Sequence, residues 1–276
     1  MIIMKKYVLL LLMFAAMGFY VHANLGEKRV LRIGVECDYA PNNWQESSPS
    51  DSNFPIANDK GHYAEGYDLQ IAKLVADEMN AVLEVRKVAW NDLPNALNKG
   101  EIDVIFSGML DTEARRQFAA FSDVYDIAKT EYTIVVNKAS TYADAEKLED
   151  FAGAKLVAQK GTHLDDVIDQ IKGVVHMPPV ETVSEMIDAV VSHKADGTVI
   201  NLDTGQSYLR KYKNLAQIRF PEGEGFHLDF NGICAGVRKK DTELLEEINA
   251  ALAKISKHER QRVMDRTIAR AFQAMP

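Results

Sequence analysis

The sequence predicts an α/β protein built of two units, each a mainly parallel sheet flanked by helices. Short β-branched runs alternate with segments of helical period from residue 30 onward, and the same alternation restarts at Tyr132. The length of the chain after residue 23 suits one large domain or two of ordinary size.

The chain opens MIIMKKYVLLLLMFAAMGFYVHA, with Lys5 and Lys6 ahead of an apolar run and a V-x-A pattern ending at Ala23. This predicts a cleavable secretory leader over residues 1–23, and the run is shorter than the ~20 residues a membrane span needs. With no cysteine near the cleavage point, no lipoprotein anchor is expected, and the mature protein belongs outside the cytoplasm. The formal net charge is −8, and loss of Lys5 and Lys6 takes it to −10, which disfavours nucleic acid and anionic membranes as partners. Cys37 and Cys234 are the two cysteines. In an oxidising compartment a bridge closing so long a loop would contribute roughly 4 to 5 kcal/mol in the chain-entropy model, but spacing gives no geometry and pairing stays open.

In chain order, VLRIGVEC (30–37) reads as a strand ending in the turn-prone DYAPNNW, and 46–66 as a polar surface loop. Leu69, Ile71, Ala72, Leu74, Val75 and Met79 recur at helical spacing in 67–80. A strand at 82–88, a short helix at 90–100 closed by Gly100 and a buried strand, DVIFSG, at 103–108 come next. Asp111 or Thr112 is a suitable N-cap, so a helix starting there carries Arg115 in its first turn, where the macrodipole disfavours a cation by up to about 1 kcal/mol. The second unit reads as strands at 132–138 and 155–161, helical segments at 162–173 and 183–195, a strand at 196–203 and a helix at 204–212. FNGICAGVRK (230–239), an amphipathic segment at 242–258 and another through Ala271 complete the chain.

Ligand chemistry is expected where strand ends meet helix starts. Ser107, the Gly108 N–H, Met109 and Arg115 would form an anion site there, and the planar guanidinium fork favours a carboxylate. The alternative is that Arg115 and Arg116 form a solvated basic face. Glu36 with Tyr39, Trp44 and Trp90 suits a cationic or amphipathic ligand if these residues border one cleft; taken singly, the aromatics are packing residues. Gly161, Thr162 and His163 open a helix after a strand, and Asn201 and Asp203, two apart on a predicted strand, share a face that would accept an ammonium, unless Asp203-Thr204-Gly205 is simply a turn. There is no G-x-S-x-G, H-E-x-x-H, P-loop or G-x-G-x-x-G, and no histidine spacing suited to a metal, so no cofactor is expected.

In order along the chain, GYDLQIAKLVADEMN, WNDLPNALNKGEIDVIFSGM, TEARR…FSDVY and GAKLVAQKGT resemble the periplasmic solute-binding proteins of polar amino acid ABC importers. The likeness spans nearly all of the mature chain and is most specific from Gly100 to Tyr125. It implies a two-lobed periplasmic binding protein-like (type II) fold, with a two-strand hinge and the ligand cleft between the lobes. Lobe 1 is then 24–131 plus 232–276, lobe 2 is 132–231, and YTIVVNK and FNGICAG are the crossings. The resemblance gives Arg115 to the ligand α-carboxylate, assisted by Ser107 and Thr162, Tyr39 to its side chain and Trp90 to the pocket wall. Glu36 lies where relatives selecting basic amino acids hold an acid.

Two departures stand out. Leu110 replaces a hydroxyl residue, and Asn201 stands where the family has the carboxylate that holds the α-ammonium, so either Asp203 on the same face replaces it or the ligand's amine is held less strongly or differently. The resemblance thus implies a monomer that captures a polar or basic amino acid and passes it to a membrane permease. The same fold hosts cyclohexadienyl dehydratases, for which His163 and Glu36 are the acid–base pair available, and ligand-sensing modules that dock on separate receptors.

Overall fold

The computed structural model describes residues 28–126, 131–228, 230 and 232–274. The leader at 1–23, and residue 231 of the FNGICAG crossing, lie outside the described residues. Along the chain come β1 (Val30–Val35), β2 (Asp38–Tyr39), β3 (Asn43–Glu46), β4 (Phe54–Pro55), β5 (Tyr63–Glu65), α1 (Tyr67–Glu78), β6 (Val82–Lys87), α2 (Leu93–Lys99), β7 (Val104–Ile105) and β8 (Ala120–Val124). Then come β9 (Tyr132–Asn137), β10 (Lys155–Val157), α3 (His163–Asp166), β11 (Val175–His176), α4 (Val183–Val191), β12 (Gly197–Asn201), α5 (Leu202–Lys211) and β13 (Leu215–Ile218). The chain ends with β14 (Cys234–Val237), α6 (Thr242–Lys254) and α7 (Lys257–Ala274).

Two five-stranded sheets result, ordered β6-β1-β7-β14-β8 and β11-β10-β12-β9-β13. Each is parallel over three strands and antiparallel where β14 or β9 enters. The direction reflects the route of the chain: the parallel strands end at the cleft, so a strand arriving from the opposite lobe starts there and runs against them. β9 is buried along its whole length, as a continuous apolar run in mid-sheet must be. Separate apolar cores lie in the two lobes, one around Leu31, Ile71 and Phe106, the other around Ile134, Phe151 and Ile187.

Four sequence expectations change. The polar stretch 46–66 is more than a loop, because β4 and β5 join β2 and β3 in a small sheet ordered β2-β3-β5-β4, turning Ala64 into the first core. No α-helix forms after Asp111; since β8 begins at Ala120, there is room for only one 3₁₀ turn at Arg115–Gln117. The dipole penalty foreseen for Arg115 therefore does not arise from a full helix. The 162–173 helix is α3, a single turn, followed by a 3₁₀ turn at Val167–Gln170. Finally, the strand expected to run to 203 stops at Asn201, which caps α5.

Cys37 and Cys234 are both buried free thiols, which answers the open question of pairing. Burial pushes each thiol up to about 12, so neither carries a reactive thiolate at neutral pH.

Candidate functional site

The site forms where the C-terminal ends of the parallel strands face each other across the cleft, the usual ligand position in open α/β sheets. β1 delivers Glu36, β6 leads to Trp90 and β7 leads to Ser107. From the other lobe, β10 leads to Gln159, Gly161 and Thr162, and β12 ends on Asn201. The pairing of Gly34 with Ile105 brings the ends of β1 and β7 together, and Glu36 N–H donates to Ser107 Oγ at 3.0 Å. They border one cavity between the lobes. Its wall includes Glu36, Tyr39, Trp90, Ser107, Gly108 and Arg115 from the first lobe, and Thr162, His163 and Asn201 from the second.

Arg115 is the strongest charge on the wall. Its guanidinium lies 5.1 Å from the Trp90 ring centroid, Nη1 donates to the Leu110 carbonyl at 3.0 Å and Nη2 to the Gly161 carbonyl at 3.4 Å. Burial lowers its pKa, but arginine remains charged. Among the described residues no carboxylate lies within ion-pair distance of it. Trp90 Nε1 also donates to the Gly161 carbonyl, at 3.2 Å. Gly161 has φ +70°, a backbone conformation strained for other residues, and a Cβ there would meet Asn91 Oδ1 at 2.9 Å, so the Asn91 side chain would have to move.

The other members are more constrained than their sequence suggested. Gly108 also has positive φ, and a Cβ would strike the Tyr39 ring at 2.8 Å. Its N–H lies against the buried Asp68 carboxyl and is not a free donor. Thr162 uses both its N–H (3.3 Å) and its hydroxyl (2.7 Å) on the Gln159 carbonyl, leaving only an acceptor oxygen for a ligand. Tyr39 OH donates to Asn201 Oδ1 across the cleft. His163 packs against Tyr132 at 5.8 Å and edge-on to Phe230 at 5.0 Å.

Three expected residues are elsewhere. Trp44 packs with Ala40 and with Ala271 of α7, and its indole N–H donates to Glu46, so it belongs to a small core under the last helix. Met109 is buried among Trp90, Leu93 and Ile105, and its carbonyl accepts Cys234 N–H at 2.8 Å. Asp203 lies two residues past Asn201, in the first turn of α5 where alternation no longer holds, and lines a neighbouring cavity with Asp126 and Glu131. Burial, then Glu131, raises its pKa.

Residues the sequence reading did not place on the wall include Gln159, Tyr132, Leu164 and Ile233, together with Leu110, noted only as a departure. Gln159 was detectable in principle, since it lies two residues before Gly161, just past a strand end. That it pairs with Glu36, 123 residues away, was not.

Comparison with known proteins decides the family. A family model for bacterial extracellular solute-binding proteins, family 3, matches residues 31–268. The chain belongs to this family. An arginine-binding extracellular protein of Bacillus subtilis (strain 168) is 27% identical to this solute-binding protein over 263 residues, covering 90% of this chain and 92% of the relative. A glutamine-binding protein of an ABC transporter from the same organism is 29% identical, covering 73% and 71%. Among solved structures, an amino acid ABC transporter substrate-binding protein of Streptococcus pneumoniae bound to L-arginine superposes with a TM-score of 0.73, at 17% identity, over 88% of this chain and 96% of that one. That last likeness establishes the two-lobed α/β fold. The relatives are binding proteins, and the dehydratase expectation finds no support among them. Among the described residues of this solute-binding protein, no helix is long and apolar enough to cross a membrane.

Proposed function

We propose that this protein captures one amino acid with a polar or basic side chain between its lobes, outside the cytoplasm, and presents it to the permease of an ABC importer. The single observation that carries the reading is Arg115: a charged guanidinium on the cavity wall, stacked on Trp90, with no ion-pair partner among the described residues. A ligand α-carboxylate is the natural counter-ion. Ser107 keeps its hydroxyl hydrogen after accepting from Glu36 N–H and adds a donor. Asn201 Oδ1 and the Thr162 oxygen are the acceptors on the cavity wall for an α-ammonium, while Asp203 lines the neighbouring cavity. At the other end Glu36 and Gln159 meet the side chain. The named relatives, arginine-binding and glutamine-binding, support a distal group that is cationic or a carboxamide.

In this reading lobe 1 is 24–131 with 232–276 and lobe 2 is 132–231, residues 1–23 are a removed leader without lipid, the chain acts as a monomer and it has no enzymatic activity. Contacts from both lobes make the closed form bind tighter, and ligand shifts the open–closed equilibrium by that difference. A thermal-shift screen over the L- and D-amino acids tests it: a true ligand at about 100 times its Kd adds about 2.7 kcal/mol of stability. No shift with any amino acid would remove the proposal.

A further inference from the structure

The distal end of the cavity is closed by a pair of side chains, one from each lobe. Gln159 Nε2 donates to Glu36 Oε1 and, at 3.0 Å, to the backbone carbonyl of Glu181. Both residues are almost fully buried. A carboxamide nitrogen has two hydrogens, so these two bonds use it completely. The Glu181 carbonyl cannot donate, and it therefore fixes which way the amide faces; reversing it would set oxygen against oxygen. Because the amide N–H points at Glu36 Oε1, that oxygen must accept. Any proton on the carboxyl consequently sits on Oε2, and the atoms left to a ligand are Glu36 Oε2 and Gln159 Oε1.

This arrangement has two readable forms. With Glu36 ionised, the pair offers two acceptors, the complement of a guanidinium or ammonium. With Glu36 protonated, it offers one donor and one acceptor, the complement of a carboxamide. We propose that Gln159, oriented by the Glu181 carbonyl, makes Glu36 a one-proton specificity switch between amino acids ending in a cation and those ending in a carboxamide. The proposal rests on the amino-acid reading of the cavity.

The surroundings make the switch accessible. Burial, with Asp38 adding, pushes Glu36 up to about 8 against the opposing pull of Gln159 and of Lys87 at the end of β6. The other ionisable groups facing it are the Cys37 thiol and the Tyr208 hydroxyl of α5, both held neutral by burial. Arg115, Tyr132 and His163 share the cavity, but act equally on any amino acid bound there.

The test is calorimetric titration of the full protein with L-arginine and with L-glutamine between pH 5.5 and 8.5. Effects on the shared backbone end cancel in the ratio of the two association constants, which should move about tenfold toward arginine for each unit of rising pH. Near pH 7 arginine binding should release a fraction of a proton, seen as a dependence of the heat on buffer ionisation. Glu36→Gln, which keeps shape and removes titration, should flatten the ratio, and Gln159→Leu should lower glutamine affinity about tenfold or more. If only one of the two binds, its own affinity must shift with pH in the stated direction in the native protein and not in Glu36→Gln. A ratio or affinity independent of pH while binding persists overturns the switch but leaves the amino-acid reading standing. Failure of both to bind at every pH overturns the carboxamide-or-cation reading and the switch with it.

Discussion

On the first lobe the cleft wall rests on a buried polar network, whereas on the second it rests on a single helical turn and a glycine. Asp68, at the start of α1, accepts from Asn43 Nδ2 at 2.8 Å and Tyr125 OH at 2.6 Å, and Asn43 Oδ1 in turn accepts Cys37 N–H at 2.8 Å, next to Glu36. On the second lobe Thr162 bonds the Gln159 carbonyl at 2.7 Å and Gln159 the Glu181 carbonyl at 3.0 Å, and α3, which follows them, is four residues long. Charge shows the same division, with the Arg115 guanidinium and the titratable Glu36 on the first lobe and Gln159, Thr162 and Asn201 among the groups facing them. A wall that carries charge has to be preorganised, because a misplaced ionic group loses most of its advantage on desolvation. The neutral wall can be assembled on closing, and its direct bonds to the first lobe provide part of the energy.

The largest effect expected from breaking this division is on ligand capture. Arg115→Ala should weaken binding of the true ligand by about 2 to 5 kcal/mol in calorimetry, since it leaves a buried carboxylate without its partner; the fold should be unaffected. Asp68→Ala tests the foundation instead. It strands the donors of Asn43 and Tyr125, and denaturant unfolding should show a loss of about 2 to 3 kcal/mol. An equal loss of stability in Thr162→Ala would contradict the idea that the two walls differ in rigidity.

A smaller effect concerns closure. Asp38 accepts both the N–H (3.0 Å) and the hydroxyl (2.6 Å) of Ser184, at the start of α4, so a carboxylate of one lobe caps a helix of the other. Because both groups are partly exposed, Asp38→Ala should cost about 1 to 2 kcal/mol of ligand affinity. Small-angle scattering should show a more open ligand-free protein. No change in either would mean that closure is driven by the ligand alone.

The smallest effect is a pH dependence in the weaker wall. His176 lies between Asp165 at 2.9 Å and Asp169 at 2.8 Å, which tie α3 and the following turn to β11. Burial lowers its pKa, but the two carboxylates outweigh this and the net shift is upward. The stabilisation is therefore complete below the unfolded-state value near 6.5 and fades as pH rises through the higher folded value. Thermal melts should show His176→Gln costing up to about 1 kcal/mol at pH 6 and little at pH 9.

The same contrast explains what was legible in the sequence. α1, β1, β6, α4 and β9 announced themselves because each buries a regular apolar face that composition and period reveal. Arg115, Ser107 and Glu36 were legible because strand ends carry ligand chemistry whatever the ligand. The four-stranded sheet was not, since β4 and β5 are two and three residues long within a polar stretch. Asp203 and Trp44 were misplaced for one reason: a strand ending two residues early, or a C-terminal helix packing back on the first lobe, redirects a side chain without leaving any local trace. Gln159 depended on a partner in the other lobe, and only the closed cleft brings the two together.

The chain has two tryptophans. Trp44 is shut beneath α7, while Trp90 stacks on Arg115 and reaches across the cleft to Gly161. Opening the lobes would strip the second indole of its cross-cleft acceptor and wet its face. The molecule thus carries in Trp90 its own optical gauge of closure, and needs no attached dye to report it.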